Sequence, residues 1–192
     1  MKRAPGKVRV IGGRWRGTRL PVGDSPGLRP TSDRARETLF NWLQPVLPGA
    51  RVLDLFAGSG VLGIEALSRG AADVLLVERE PALARMIEDS LRRLDADAPA
   101  RVVRADALEF LRLPAHGRFD IVFVDPPFDA GLWKPVLEAL GPWLSTDAWL
   151  YLESPPAAGV EPPAGWQPHR EMHTRDARHA LYRWSCAGPG RG

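Results

Sequence analysis

The sequence predicts an α/β fold in which a mostly parallel central sheet carries helices on both faces, preceded by a β-hairpin and a helix. Two observations predict it. From about residue 51 onward, segments with strand and helix patterns alternate, as they do in proteins built from repeated strand–helix units. The apolar runs in the strand segments are continuous, which is typical of strands buried on both faces. These runs are Val52-Leu53, 74–77 and 121–124.

The N-terminal part is predicted to form a hairpin, a connection and one helix. Glycines favour the turn of the hairpin, and a hydroxyl side chain can cap the start of the helix. A proline ends the helix, because it cannot continue the backbone hydrogen bonds. The strands are expected at 7–11 and 18–22, the turn at 12–17, the Pro/Gly-rich connection at 24–30, and the helix from a cap at Thr31 or Ser32 to a stop at Pro45.

The remaining elements follow in regular order after Pro48-Gly49. A proline-rich loop at 154–165 resists regular structure, and two tail segments beyond it are expected to pair antiparallel at the sheet edge. The predicted strands are 51–56, 73–78, 100–104, 119–125 and 148–153, the predicted helices are 61–69, 81–94, 107–113 and 132–140, and the tail segments are 166–173 and 178–186.

Composition excludes several classes of protein. The 192 residues fit one domain of ordinary size, and 44% hydrophobic residues with 7 tryptophans supply a core. The single cysteine, Cys186, excludes an intrachain disulfide and a multi-cysteine zinc site, and we expect no metal. No apolar run approaches the ~20 residues that a bilayer requires. We therefore expect a soluble, cytoplasmic protein.

The formal net charge of +3 is unevenly distributed. Residues 1–40 contain ten basic and three acidic side chains, a net charge of +7, which leaves −4 for residues 41–192. A basic leader suggests a polyanionic partner, because contacts between basic side chains and phosphates dominate affinity for nucleic acids. On charge alone, a solvated basic surface is an equally good interpretation.

Acidic residues end or follow four of the predicted strands. In an open α/β sheet, ligands bind beyond the carboxyl ends of the strands. Any one such acid can be a helix N-cap or a solvated loop residue. Four at the same sheet edge indicate a ligand site. They are Asp54, Glu78, Asp106 and Asp125.

The glycine-rich loop after the first of these strands allows two cofactors. Residues 58–63 match G-x-G-x-x-G, and Glu78 follows Gly58 by 20 residues, as in dinucleotide-binding proteins. Two features count against a nicotinamide cofactor. Asp54 suits an ammonium group better than a pyrophosphate, and no later Tyr/Lys pair supplies an acid for hydride transfer. S-adenosylmethionine, which has a cationic amino acid and no phosphate, fits the carboxylates better.

The run Asp125-Pro126-Pro127-Phe128 indicates chemistry on an amine. Consecutive prolines fix the backbone and remove two N–H donors, so nearby carbonyls remain as acceptors. The Asp125 carboxylate and the Pro126 carbonyl can bind both hydrogens of an exocyclic amine, while Phe128 stacks on a planar base. A rigid turn capped by an aspartate is the alternative for this run alone. Together with the glycine loop, it predicts transfer of a methyl group to a positioned amine.

Several segments together resemble the bacterial 16S ribosomal RNA guanine-N2 methyltransferases. The glycine loop is shared by all class I methyltransferases, whereas the Arg-Pro-Thr-x-Asp-Arg-x-Arg-Glu start of the first helix is much more specific. Related amine methyltransferases often carry Asn where this chain has Asp125, and a carboxylate can accept a proton as well as orient the amine. The resemblance covers nearly the whole chain; its segments are 10–17, 28–43, 54–60 and 125–128.

The resemblance implies a Rossmann-like class I methyltransferase fold. It also implies methyl transfer from S-adenosylmethionine to the exocyclic N2 of one guanine in 16S rRNA, within a 30S subunit or an assembly intermediate. Residues 1–45 would then form an extension that recognises RNA, and residues 46–192 the catalytic domain that binds S-adenosylmethionine.

On this basis each candidate residue has an expected role. Asp125 and Pro126 hold the guanine N2, beside Pro127, and Phe128 stacks on the flipped base. The cofactor site comprises Asp54 for the methionine ammonium, Glu78 for the ribose hydroxyls, Asp106 for the adenine amine, Gly58 and Gly60 for close backbone approach, and the neighbouring Phe56 and Ala107. The RNA contacts comprise phosphate-binding Arg14, Arg16, Arg29, Arg34 and Arg36, with Trp15 either stacking on RNA or clamping the hairpin to the body.

Two other functions remain open on the residues alone. One is an amine methyltransferase that acts on DNA adenine or on a protein amide, which the run 125–128 alone does not exclude. The other is a non-catalytic RNA-binding assembly factor, against which the intact set of four acids counts. The basic leader favours a nucleic acid over a protein substrate.

Overall fold

The computed structural model describes residues 6–23, 31–96 and 100–184 of the chain. Nine strands and five helices occur in these ranges, with a single 3-10 turn at Gly141–Trp143. The strands are β1 (Lys7–Arg9), β2 (Arg19–Pro21), β3 (Arg51–Asp54), β4 (Asp73–Val77), β5 (Ala100–Val103), β6 (Phe119–Val124), β7 (Leu144–Ser154), β8 (Trp166–His173) and β9 (Arg178–Trp184). The helices are α1 (Asp33–Leu43), α2 (Val61–Ser68), α3 (Pro81–Arg93), α4 (Ala107–Arg112) and α5 (Trp133–Ala139).

The main sheet has seven strands in the order β5-β4-β3-β6-β7-β9-β8. Strands β3 to β7 pair in parallel, and the two tail strands add to them antiparallel. The predicted fold class is confirmed, including the antiparallel tail pair. The chain moves outward from β3 through β4 to β5 and then returns to β6 on the other side of β3. This reversal places a ligand cleft at the carboxyl ends of β3 and β6.

Two apolar layers cover the faces of the sheet. Val52 and Leu53 are consecutive in β3, belong to different layers and are both fully buried. Because successive strand residues point to opposite faces, a strand covered on both sides requires an unbroken apolar run. Helices α1, α2 and α3 pack in one layer, and α4 and α5 in the other.

The hairpin of β1 and β2 packs on the same layer as α1 and α2. Val8 and Leu20 point inward and are buried there, while their neighbours along each strand are more exposed. Ser32 is the residue that caps α1, because its side chain accepts a hydrogen bond from the N–H of Ala35 at 3.2 Å. The functional division at residue 45 stays a prediction.

Strand β7 is the element whose predicted bounds were most in error, because it begins at Leu144 and not at residue 148. Its first part carries the polar sequence Ser145-Thr146-Asp147, which conceals a strand from a pattern of apolar residues. Leu144 pairs with Phe119 across an irregular register that resumes at Trp149. Tertiary pairing therefore extends this strand beyond its apolar half.

Within the residues described, no helix combines the length and the apolar character needed to cross a membrane.

Candidate functional site

A cleft of about 470 Å³ lies at the carboxyl ends of the parallel strands. It brings together all the predicted catalytic residues and all the predicted cofactor residues except Gly60. Those that line it are Asp54, Phe56, Gly58, Glu78, Asp106, Ala107, Asp125, Pro126, Pro127 and Phe128.

Asp54 ends β3 and is 3% exposed. Its Oδ2 accepts a 3.1 Å hydrogen bond from the N–H of Gly63 in α2. Burial raises the pKa of Asp54 from 3.8 to about 7; the bond from Gly63 opposes this shift, and the nearby charge of Glu78 adds to it. A cation in the cleft would lower the free-energy cost of ionising this buried carboxyl group, so Asp54 suits an ammonium group.

Glu78 fastens the glycine loop to the end of β4. Its Oε2 accepts a 2.7 Å bond from the N–H of Gly58, and its Oε1 accepts a 2.8 Å bond from the N–H of Glu80. Gly58 has a φ of 55°, in the left-handed region that favours glycine. The carboxylate thus shapes the loop and also lines the cleft.

Gly60 has a structural reason for being glycine. It caps α2 with a φ of 74°, and an added Cβ would lie 3.0 Å from two side-chain carbons of Ile87 in α3. Gly60 does not line the cleft. The expected role of Gly60 in cofactor approach stays a prediction, and its backbone conformation and packing are a structural reason for glycine at this position.

Asp106 is both a helix N-cap and a residue that lines the cleft. As the N-cap of α4, it accepts through Oδ1 the N–H groups of Leu108 at 2.8 Å and Glu109 at 3.2 Å. It also lines the cleft, beside the buried Ala107. A capping aspartate at a strand end can thus present a carboxylate to a ligand.

Asp125 follows β6 and lies beside a further acid, Glu153, near the end of β7. Val124 pairs with Leu152 in the parallel register, so the next residue of each strand faces the same end of the sheet. Burial, and then the charges of Glu153 and Asp54, raise the pKa of Asp125 well above its usual range. Asp125 is therefore a stronger base than an exposed aspartate.

Phe128 stands at the mouth of the cleft and is 36% exposed. Its ring centroid is 6.0 Å from that of Trp133, with the ring planes tilted by 47°. Trp133 is itself held by a 2.8 Å bond from its Nε1 to the carbonyl of Glu153. An exposed ring backed by a fixed tryptophan offers a face on which a planar base can stack.

Sequence reasoning missed Thr31 and Glu153, which both line the cleft. Oε2 of Glu153 accepts hydrogen bonds from the hydroxyls of Thr31 at 2.9 Å and Tyr151 at 2.8 Å. The Tyr151 hydroxyl is also hydrogen-bonded to Nδ1 of His179 at 2.8 Å. The available signal was that Glu153, like the four predicted acids, comes at the end of a predicted strand.

Unused acceptors remain on this acid pair. Within the ranges that the structure describes, Oε1 of Glu153 and the carboxyl oxygens of Asp125 accept no hydrogen bond. Both residues line the cleft. Two neighbouring acceptor groups are thus available to a ligand with two neighbouring N–H donors.

The turn of the hairpin carries three of the predicted RNA contacts. Arg14 and Arg16 are exposed, and the Arg14 guanidinium lies 5.6 Å from the ring centroid of Trp15. The N–H groups of Arg14 and Trp15 donate to the carbonyl and the Oγ of Ser68 in α2, at 2.7 and 2.9 Å. Trp15 is partly buried against the core, as a clamp would be.

The other predicted arginines have different positions. Arg34 is exposed on α1, and Arg29 lies outside the described residues. Arg36 is fully buried, so the prediction that it binds phosphate was wrong. Its guanidinium donates to Asp33 at 2.6 Å, to Glu65 at 3.5 Å, and to backbone carbonyls of Thr31 and Arg9 at 3.3 and 2.9 Å. Arg36 is therefore a structural residue.

Glu65, in the middle of α2, holds the hairpin to the body. Its carboxylate is fully buried and accepts the N–H groups of Ile11 at 2.8 Å and Gly12 at 2.7 Å. Arg36 and Arg69 balance its charge. The signal in the sequence was one acid in an otherwise apolar helix.

No cluster of three or more histidine, cysteine or acidic side chains suited to a metal ion occurs among the residues described.

Several known proteins have this fold and are similar to this chain in sequence. The family model described as "Conserved hypothetical protein 95" matches residues 8–183. The chain is 47% identical over 186 residues to the ribosomal RNA small subunit methyltransferase D of Escherichia coli K12, covering 95% of this chain and 93% of that protein. The Haemophilus influenzae protein of the same name is 41% identical over 183 residues, covering 93% and 95%.

Solved structures agree with the sequence relatives. The Escherichia coli protein yhhF superimposes with a TM-score of 0.87 and 45% identity, covering 94% of this chain and 99% of that one. TrmN from Thermus thermophilus, with a TM-score of 0.68 and 21% identity over 83% of this chain and 50% of its own, shares the fold alone. The architecture is that of Rossmann-like class I methyltransferases.

Proposed function

The chain belongs to the family described as "Conserved hypothetical protein 95", and on this premise we propose that it methylates the exocyclic N2 of a guanine in 16S ribosomal RNA. The methyl donor in this proposal is S-adenosylmethionine. The enzyme class follows from homology to methyltransferases along nearly the whole chain. The observation that carries the choice of guanine is the pair of unused acceptor groups on Asp125 and Glu153.

The relatives and the leader support an RNA substrate. The curated relatives are named for methylation of the small-subunit ribosomal RNA. The exposed Arg14, Arg16 and Arg34 lie on the N-terminal extension, where contacts with phosphates would supply affinity. The partner would be 16S rRNA in a 30S subunit or an assembly intermediate, and the site of action the cytoplasm.

The carboxylates that line the cleft support S-adenosylmethionine as the cofactor. When bound, this cofactor supplies an electrophilic methyl group on a sulfonium. Asp54 would hold the methionine ammonium, Glu78 the ribose hydroxyls and Asp106 the adenine amine. The pKa of Asp54, raised to about 7 by burial, supports this assignment because a neighbouring cation relieves the cost of ionising the buried acid.

Asp125 and Glu153 together match the edge of guanine. Guanine presents an N1–H beside its N2 amine, whereas adenine presents a bare N1 acceptor beside its N6 amine. With Asp125 and the Pro126 carbonyl on the N2 amine, Oε1 of Glu153 is available for N1–H. Adenine would instead set its N1 lone pair against an acceptor, which costs binding free energy.

Chemistry at the amine then requires orientation and removal of one proton. Asp125 and Pro126 would direct the amine lone pair toward the methyl group, and positioning supplies much of the rate in such a displacement. As the N–C bond forms, the C–S bond of the sulfonium would break with its electron pair going to sulfur, which leaves S-adenosylhomocysteine. The amine would lose a proton, for which Asp125 is the acceptor. Its raised pKa makes Asp125 a more effective base. Phe128 would stack on the base once it has been extruded from its neighbours.

The test offers labelled S-adenosylmethionine with naked 16S rRNA, assembled 30S subunits, DNA or ribosomal protein. We expect label in the RNA, recovered as N2-methylguanosine after digestion to nucleosides, and no label with an Asp125→Ala variant. Label in DNA or protein but not in RNA would contradict the proposal. Label recovered as N6-methyladenosine would contradict the choice of base.

A further inference from the structure

A second cavity, of about 400 Å³, lies between the hairpin and the start of α1. None of its basic residues belongs to the predicted set of RNA contacts. The residues that line it are Lys7, Val8, Arg9, Arg19, Thr31, Ser32 and Asp33. We propose that Lys7, Arg9 and Arg19 bind a phosphate of the RNA backbone next to the nucleotide whose base enters the cleft.

The hairpin register brings the three cations together. Arg9 pairs with Arg19 across the two strands, and Lys7 is two residues from Arg9 on the same side of β1. Val8 and Leu20 occupy the inward-facing positions between them and are buried. Side chains that alternate along a strand leave Lys7, Arg9 and Arg19 on one exposed face.

This face has an excess of positive charge. Arg9 and Arg19 are like charges directly opposite each other, an arrangement that destabilises a strand pair. Asp33 offsets only part of this positive charge. One of its carboxylate oxygens lies 3.4 Å from Arg9, and the other already accepts a hydrogen bond from Arg36. Lys7 and Arg19 have no carboxylate partner in the part of the chain that the structure describes. An anionic ligand would complete the cavity.

Thr31 connects this cavity to the cleft, because it lines both. Its hydroxyl donates to Glu153 on the cleft side. A nucleotide whose base lies against Glu153 would therefore carry its sugar and phosphate past Thr31 toward the three cations. This step rests on the proposed function, since it takes the base in the cleft to belong to an RNA chain.

The ligand of the cavity is thus a phosphodiester, and its role is to fix the target nucleotide relative to the cleft. Basic side chains that contact the backbone position a nucleic acid without reading its sequence. Lys7, Arg9 and Arg19 are positioning residues in this proposal. Their loss should weaken RNA binding and leave S-adenosylmethionine binding unchanged.

The first experiment compares a Lys7→Ala/Arg19→Ala variant with a control, Arg93→Ala/Arg112→Ala. The control removes two exposed arginines at the ends of α3 and α4 that line neither the cleft nor the second cavity. We expect the first variant to bind 16S rRNA about tenfold more weakly, with a slope of log K against log salt about 1.4 smaller in magnitude. Equal affinity and an equal slope in the two variants would overturn the proposal.

The second experiment measures binding of guanosine, guanosine 5′-monophosphate and guanosine 3′-monophosphate to the protein saturated with S-adenosylhomocysteine. We expect a monophosphate to bind more tightly than guanosine, and this preference to disappear in Lys7→Ala/Arg19→Ala but persist in the control. Equal binding of all three by the unmodified protein would overturn the assignment. A phosphate preference without any methylation of RNA would support the phosphate cavity while contradicting the proposed function.

Discussion

The hydroxyl of Thr31 donates a 2.9 Å hydrogen bond to Oε2 of Glu153, which lies 122 residues later in the chain. Through this bond, the residues just before α1 orient an acid at the end of β7. Tyr151 also donates to Oε2, so both of these hydrogen bonds are made to the same oxygen of Glu153, a residue that lines the cleft. The N-terminal segment thereby helps to shape the site where we place the base.

Replacement of Glu153 should change which base the cleft accepts. RNA carrying 2-aminopurine in place of the target guanine keeps the 2-amino group but has no N1–H. We expect the unmodified protein to methylate it at least tenfold less efficiently than guanine, because an acceptor would face the bare N1. In Glu153→Gln, an amide N–H can face that N1, so the ratio of the two kcat/KM values should approach one.

A Thr31→Val variant is the matched control for this measurement. It removes one bond to Oε2 and retains the carboxylate, so discrimination should persist even where the overall rate falls. An unchanged ratio in Glu153→Gln would exclude Glu153 from reading N1.

Replacement of Asp125 with Asn should slow turnover without removing the cofactor site. We expect Asp125→Asn to lower kcat by about 10² or more, because an amide still orients the amine but does not accept its proton. The dissociation constant of S-adenosylmethionine, measured by calorimetry, should stay within a few-fold. A variant with a normal single-turnover rate would remove Asp125 from the role of base.

Affinity for S-adenosylmethionine should depend on pH through Asp54. Its pKa of about 7 means that the carboxylate needed for the ammonium is present above this pH and lost below it. We expect affinity to fall by about tenfold per pH unit below 7 and to level off above it. In Asp54→Asn the affinity should be low and nearly independent of pH over the same range; a pH dependence equal to that of the unmodified protein would point to another group.

Ionisation of Asp54 should also lower the stability of the folded protein as the pH rises. The folded protein holds the Asp54 proton to about pH 7, and the unfolded chain releases it near 3.8, so stability from this group falls as pH rises between these values. Asparagine does not titrate. We expect the free energy of unfolding of Asp54→Asn, relative to the unmodified protein, to rise by about 2 kcal/mol between pH 5 and pH 8, as measured by urea denaturation.

Arg36 should matter for folding and not for RNA contact. Replacing it with methionine leaves the buried Glu65 with one cationic partner fewer, which should lower the free energy of unfolding by about 3 kcal/mol. Arg34→Ala, at an exposed position two residues earlier, should change stability by less than about 0.5 kcal/mol. Equal stability losses in the two variants would contradict the structural role of Arg36.

The sequence was most informative where local pattern and site coincide. Asp54, Glu78, Asp106 and Asp125 each come at or just after the end of a strand, and parallel strands bring such ends together at one edge. Knowing the strands was therefore enough to predict the cleft. Glu153 was overlooked because its relation to Asp125 depends on the pairing of β6 with β7.

Charged residues were harder to assign. Arg36 lies in a basic stretch, where a buried arginine and a surface arginine have the same local pattern; only the distant Glu65 distinguishes them. The convergence of Lys7 and Arg19 likewise depends on the register of the hairpin. Whether a charged side chain is buried or joins a cluster depends on partners from distant parts of the chain, and these cannot be predicted from composition.

Helix α2 has a consequence for how one nucleotide is selected. It starts directly after the glycine loop at the cleft, and its later residues Glu65 and Ser68 hold the hairpin turn. A helix of 8 residues is about 12 Å long and stiff. The distance from the glycine loop to the arginines of the turn is therefore fixed. If these arginines bind RNA as proposed, this fixed distance would limit which nucleotide of the bound RNA reaches the cleft. Adding one residue to α2 would rotate the turn by about 100° and should change that selection.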